Sequence, residues 1–184
     1  MKGEKPVEFV RIQTEGSCEK ALDKLEKLAL SMKARLDKEP REEVGLSAIR
    51  LGTKCGGSDW TTAAVSNPAI GFVSDVVVKN GGISIQGETT GWFGGEDYFL
   101  RHARNEQVAA RLLALMEETY QRALQVGRRI EEGNPTPGNM EGGITTLAEK
   151  ALGNVKKGGT APVEGILEIG EYPQAGSGLY LANN

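Results

Sequence analysis

Two periodicities alternate along this chain, and the alternation leaves it few architectures. Short β-rich runs read as strands: Val7 to Gln13, Leu46 to Leu51, Ile83-Ser84-Ile85-Gln86 and Gly178 to Ala182. Between them lie stretches whose apolar residues recur every three or four positions, the period of a helix. The first starts at Ser17, a residue suited to cap a helix. It carries Leu22, Leu25, Leu28, Ala29, Met32 and Leu36, and must end before Pro40. The second occupies the later part of Thr61 to Asn80, with Pro68 near its first turn and Gly81-Gly82 as its stop. The third and longest follows Asn105 as a cap, has Val108, Leu112, Leu115, Met116, Thr119 and Ala123 as its stripe, and runs to about Glu132. Asn134-Pro135-Thr136-Pro137-Gly138-Asn139 cannot continue it. The order β-α-β-α-β-α predicts an α/β fold: a layered, largely parallel sheet with flanking helices and a loop-rich C-terminal part.

The length of 184 residues suits a single α/β domain over 1–184. Aromatic residues make up only 5%, so the core must rest on Leu, Val, Ile and Ala. The 25 glycines exceed the usual share of about 7% and fall mostly after residue 50, between apolar runs, as in loops pressed against something. A net charge of −3 and the lack of a basic stripe with interleaved aromatics argue against a nucleic-acid partner. No apolar run approaches the roughly 20 residues that span a bilayer, so no membrane association is expected. The first residues carry no secretory signal, and Cys18 and Cys55 make no disulfide framework. A cytoplasmic protein with reduced thiols is the expectation. The one histidine, His102, excludes a three-histidine zinc site within one subunit.

In open parallel sheets, ligands gather beyond the carboxyl ends of strands. Chemistry-bearing side chains follow two of the expected strands. Gly52-Thr53-Lys54-Cys55-Gly56-Gly57-Ser58-Asp59 puts a thiol, a hydroxyl and a carboxylate beside glycines that let a ligand approach the main chain. Cys55 suits a soft metal ligand or a nucleophile, and equally a small buried thiol. Asp59 can ligate a metal, orient a substrate hydroxyl or cap the next helix. Ser58 can bond a substrate carboxylate or turn the chain. Glu88, after the third strand, is the preferred acidic ligand or base, set against a solvated strand-end carboxylate. Glu96 can support it or complement a helix dipole.

Asn139 and Thr145-Thr146 lie in a glycine-flanked stretch able to cradle an anion. Lys150 can pair with a substrate carboxylate, act as a base if burial lowers its pKa, or pair with Glu149. His102 reads as a surface residue and Cys18 as structural. Lys156-Lys157-Gly158-Gly159 reads as a charged loop without the spacing of a phosphate loop.

Seven segments in order carry a family resemblance: Gly52 to Asp59, Asn67-Pro68-Ala69-Ile70-Gly71, Gly87-Glu88-Thr89, Gly95-Glu96, Pro137-Gly138-Asn139, Gly142-Gly143-Ile144-Thr145-Thr146 and Glu149-Lys150-Ala151-Leu152-Gly153. Together they resemble the catalytic region of the altronate/galactarate dehydratase family, most strongly over 40–184 and as its middle part. The sulfolactate sulfo-lyase large subunit is a relative with the same motifs. The resemblance implies a hydro-lyase that turns a sugar acid into a 2-keto-3-deoxy acid with a divalent metal, Fe2+ or Mn2+. It implies Glu88, Lys150 and Asp59 as catalytic residues and Cys55 and Glu88 as metal ligands. Ser58, Asn67, Asn139, Thr145 and Thr146 would bind substrate. Members have a longer catalytic region, so a second family subunit or segment is expected to complete the site, with a homo-oligomer left open. A non-catalytic binding or assembly fragment, and a carbon–sulfur lyase subunit acting on sulfolactate, are the alternative expectations.

Overall fold

The computed structural model describes residues 6–173 and 176–183. The chain divides into two compact units, Met1–Glu43 and Val44–Asn184, where length alone suggests one domain. In the first unit, α1 (Ile12–Glu15) is a single turn and α2 (Cys18–Leu36) the expected long helix. The Ser17 hydroxyl accepts from the Lys20 N–H at 3.2 Å and starts α2 as anticipated. The strand expected over Val7 to Gln13 is not there. The described residues of this unit hold no second strand to pair with it, and Gly16, at φ 83°, turns the chain from α1 into α2.

The second unit is built on four parallel strands: β1 (Arg50–Thr53), β2 (Ile83–Gln86), β3 (Val163–Leu167) and β4 (Gly178–Ala182), in the order β1-β2-β4-β3. The expected α/β architecture is therefore present. β1 begins later than the sequence indicates. Leu46–Ala48 forms a 3-10 turn, packed under Gly81 and Gly82, and the ladder to β2 opens with the Ile83 N–H donating to the Ile49 carbonyl at 3.0 Å. α3 (Asn67–Lys79) connects β1 to β2, has Pro68 in its first turn, and is preceded by a wide π turn over Thr62–Ser66.

The longest helix is α5 (Glu106–Gln125), capped by Asn105, whose Oδ1 accepts from the Val108 N–H at 2.9 Å. It stops short of Glu132 because Gly127 takes a left-handed φ of 70° and folds its N–H back onto the Leu124 carbonyl. The C-terminal part holds more regular structure than expected. α4 (Glu96–His102) precedes α5, while α6 (Pro137–Glu141), α7 (Leu147–Asn154), a 3-10 turn over Val155–Gly158, and β3 follow it. These elements are short, and the glycines among them mask their helical period.

The main core lies on one face of the sheet. Leu179 and Leu181 of β4 and Val163 of β3 pack with Trp92, Phe99, Leu112, Leu115, Met116 and Val155. Trp92 and Phe99 meet edge to face at 5.6 Å. A smaller cluster, Ile83, Leu167 and Tyr180, occupies the other face. Ser84 and Gln86 of β2 point into the main layer as polar residues. Ser84 bonds Ser74 of α3 at 2.7 Å, and Ser74 reaches the Gly158 carbonyl at 3.1 Å. Among the described residues no helix is long and apolar enough to cross a membrane.

Candidate active site at the carboxyl ends of β1 and β2

Strand register sets this site. Thr53 and Gln86 are partners in the parallel pair β1/β2, and the Gly87 N–H extends the ladder to the Thr53 carbonyl at 3.0 Å. Cys55 and Glu88 each stand two residues beyond that pair, so the two loops leave the sheet side by side. The Cys55 N–H donates to Glu88 Oε2 at 3.1 Å, and Cys55 Sγ lies 2.7 Å from Ser58 Oγ. Glu88 holds a left-handed backbone, φ 82° and ψ 64°, which is unfavourable for a residue with a Cβ. Such strain persists where the surroundings enforce it, and it is concentrated at functional sites. Gly91 stands against it: a Cβ there would come within 3.2 Å of the Glu88 carboxyl carbon and 2.6 Å of Asn154 Nδ2.

Two buried lysines complete the arrangement. Lys150, on α7, donates from Nζ to Asn134 Oδ1 at 2.7 Å and Asn139 Oδ1 at 3.0 Å. Each asparagine then reaches one of the two loops. Asn134 Nδ2 donates to the Thr90 carbonyl at 3.0 Å, and Asn139 Nδ2 to the Ser58 carbonyl at 2.9 Å. Lys150 is thus the hub of a belt joining the Cys55 loop to the Glu88 loop.

Lys157, in the turn after α7, is 2% exposed. Its Nζ donates to Asn154 Oδ1 and lies 3.9 Å from Glu88 Oε2. Asn154 is itself fixed by Nδ2 to the Gly91 carbonyl at 3.1 Å and by its own carbonyl, which accepts from Gln86 Nε2 at 2.9 Å. Burial pushes the Lys157 ammonium below its ordinary value. Cys55 and Glu88 act in the opposite direction, and repulsion from Lys150 adds to the lowering. Sequence reasoning missed Lys157, taking it for part of a charged loop. Its signal is the pair Gly158-Gly159: a Cβ at Gly158 would crowd Gln86 Oε1 at 3.0 Å, and Gly159 turns at φ 73°.

The other expected site residues make bonds within the framework around these loops. Asp59 Oδ1 accepts from the Thr61 hydroxyl at 2.7 Å, the Thr62 N–H at 2.8 Å and the Thr62 hydroxyl at 2.9 Å. These bonds, led by that from Thr61, hold its carboxyl below the usual range, as suits a cap for the turn into α3. Asn67 is buried and spends Nδ2 on the Gly153 carbonyl at 2.9 Å, tying α3 to α7. Thr146 caps α7 by accepting from the Glu149 N–H at 3.1 Å, and Thr145 bonds Glu149 Oε2 through its N–H and hydroxyl. Glu149 therefore does not pair with Lys150. Both Glu96 oxygens accept from the Gly94 N–H at 2.9 Å. His102 Nδ1 meets the Tyr98 carbonyl at 2.7 Å and its ring stacks on Tyr98, away from these loops.

For a divalent ion, this rim offers the Cys55 sulfur and the Glu88 carboxylate. Among the described residues no three His, Cys, Asp or Glu side chains gather in the way a metal site needs. A buried ammonium already faces the Glu88 carboxylate. The donor set does not fit a complete metal site.

The geometry defines a class: a parallel α/β sheet with a thiol, a carboxylate and two buried ammonium groups at one rim. The chain belongs to the D-galactarate/altronate dehydratase family, whose C-terminal region it matches over residues 46–184. It is 37% identical to the altronate dehydratase of Bacillus subtilis over 133 residues, which is 72% of this chain and 27% of that protein. It is 34% identical to the L-threo-forming galactarate dehydratase of Escherichia coli over 148 residues, 80% of this chain and 28% of that protein. It is 35% identical to the (2R)-sulfolactate sulfo-lyase subunit beta of Chromohalobacter salexigens over 147 residues, 78% and 37% of the two chains. The chain therefore spans between a quarter and two fifths of the length of these relatives.

Proposed function

We propose that this chain is a hydro-lyase module that dehydrates a sugar acid of the altronate or galactarate type to a 2-keto-3-deoxy acid. The observation that carries the reading is the meeting of Cys55, Glu88 and Lys157 at one rim, in a member of a dehydratase family. The reaction removes the proton on the carbon beside a carboxylate and expels the hydroxyl one carbon further on. Glu88 is the carboxylate placed to accept that proton, and the new negative charge spreads into the adjacent carboxylate. The neighbouring C–O bond then breaks as its hydroxyl takes that proton from Glu88 and leaves as water, and the enol rearranges to the keto acid. Ser58 Oγ, beside the Cys55 sulfur, orients a substrate hydroxyl. An Fe2+ or Mn2+ ion belongs to this proposal only through donors from a second family segment or subunit, and no step here runs through it.

The test is keto-acid formation by the purified chain, alone and together with the family segments that its longer relatives contain. D-altronate, D-galactarate and sulfolactate are offered separately. A 2-keto-3-deoxy acid from one sugar acid is the expected result. Release of sulfite from sulfolactate, with no turnover of either sugar acid, gives the site to carbon–sulfur cleavage instead. No turnover of any of the three leaves a binding or assembly module.

A further inference from the structure

Lys157 is 2% exposed and Lys150 8%. A buried ammonium is costly unless a negative charge or a full set of acceptors answers it. Here the account does not balance. Lys150 spends two of its three N–H bonds on neutral amide oxygens, those of Asn134 and Asn139. Lys157 gives one to the neutral amide of Asn154, and its only ion pair among the described residues is with Glu88 at 3.9 Å, too long for a hydrogen bond. Lys157 thus faces a carboxylate at a distance, Lys150 contacts only neutral amide oxygens, and the two ammonium groups repel each other. Each ammonium keeps an N–H uncommitted among the described residues. Among the described residues no carboxylate pairs with Lys150, whose partner Asn139 holds the loop that carries the Ser58 hydroxyl.

We propose that Lys157, together with Lys150, anchors the carboxylate of the substrate. This deepens the dehydratase reading and rests on it for the identity of the anion. One missing negative charge matches one carboxylate. Two ammonium point charges also favour the form of that carboxylate in which the electrons of the departing α-proton have moved onto its oxygens. The pair then both holds the acid and acidifies the carbon beside it. Lys150 reaches this place from α7 and Lys157 from the turn behind it, so the spacing of the anchor is set by rigid structure.

Calorimetric titration of the full chain with D-galactarate and D-altronate tests this, with galactitol as an uncharged control of the same carbon skeleton as galactarate. The wild-type protein is expected to bind a sugar acid and not galactitol. Lys157→Met weakens that affinity about tenfold or more, and Lys157→Arg recovers part of the loss. A measurement on the wild-type protein covers the case in which Lys157→Met does not fold. The ¹⁵Nζ signals of the buried lysines move with galactarate and stay in place with galactitol. Unchanged affinity in Lys157→Met, equal binding of galactitol, or no saturable binding of either acid overturns the proposal. A sugar acid held through Lys157 but never converted leaves the anchor standing and sinks the dehydratase reading. Keto acid formed by Lys157→Met at unchanged KM does the reverse.

Discussion

Lys150 and Lys157 carry the same charge on the same stem, yet only one stood out in the sequence. Lys150 lies inside a motif, Glu149-Lys150-Ala151-Leu152-Gly153, while Lys157 follows another lysine in what reads as a solvated loop. Their burial was legible in neither, because it depends on Asn134, Asn139 and Asn154, which come from different elements. Gly91 shows the same dependence on distant groups. Its missing Cβ leaves room for the Glu88 carboxylate and the Asn154 amide together. Gly91→Ala should push both aside. The overpacking costs about 1–3 kcal/mol of stability, because the most crowded atom, Asn154 Nδ2, is buried and held by its bond to the Gly91 carbonyl. The catalytic loss is larger in proportion, about tenfold or more in kcat/KM, if Glu88 is the base proposed above and Asn154 holds Lys157. Urea unfolding and keto-acid kinetics on one preparation check the pair of effects. A variant that loses stability but keeps its kinetics contradicts the placement. Glu88→Gln removes the charge: keto-acid formation falls to background, and the unfolding midpoint read by a thermal melt falls as well, because the buried Lys157 ammonium loses the carboxylate that faces it.

The elements that were legible are those whose signal is local. The Ser17 and Asn105 caps, the stripe of α5 and the β-rich run of β2 are written within a few neighbouring residues, and each appears in the structure. Leu46 to Leu51 was read as one strand, but its first half is a turn whose backbone meets Gly82. The roles of polar residues at element ends were harder to read. Asp59 and Thr146 suit a ligand or a cap equally well, and only the observed N–H partners decide. Thr146→Ala tests the cap. It removes one acceptor at the start of α7 and should cost about 1 kcal/mol in urea unfolding. KM for the sugar acid should stay within about twofold, provided α7 keeps Lys150 in place. A large rise in KM without loss of stability would return Thr146 to substrate binding.

Across the whole second unit, a polar line runs through the sheet's packed layer, from Ser74 and Ser84 through Gln86 and Asn154 to Lys157. An apolar layer would be the simpler solution, so this line links the protein's global stability to the protonation of one ammonium. Burial lowers the Lys157 ammonium from 10.5, against the pull of Cys55 and Glu88. The native protein therefore releases this proton at a pH where the unfolded chain still holds it. Between the lowered value and 10.5 the unfolded state binds more protons, so this group makes stability rise with pH. Below both values it contributes a constant penalty. Other groups titrate in the same range, so the comparison is with Lys157→Met, in which this contribution is absent and most others remain. The unfolding free energy of the wild type minus that of the variant should climb as pH rises from the lowered value toward 10.5 and be flat below it. Urea titrations at half-unit pH steps measure it. A difference that falls with rising pH would mean that the carboxylate and thiol hold the proton on Lys157 more tightly than burial drives it off.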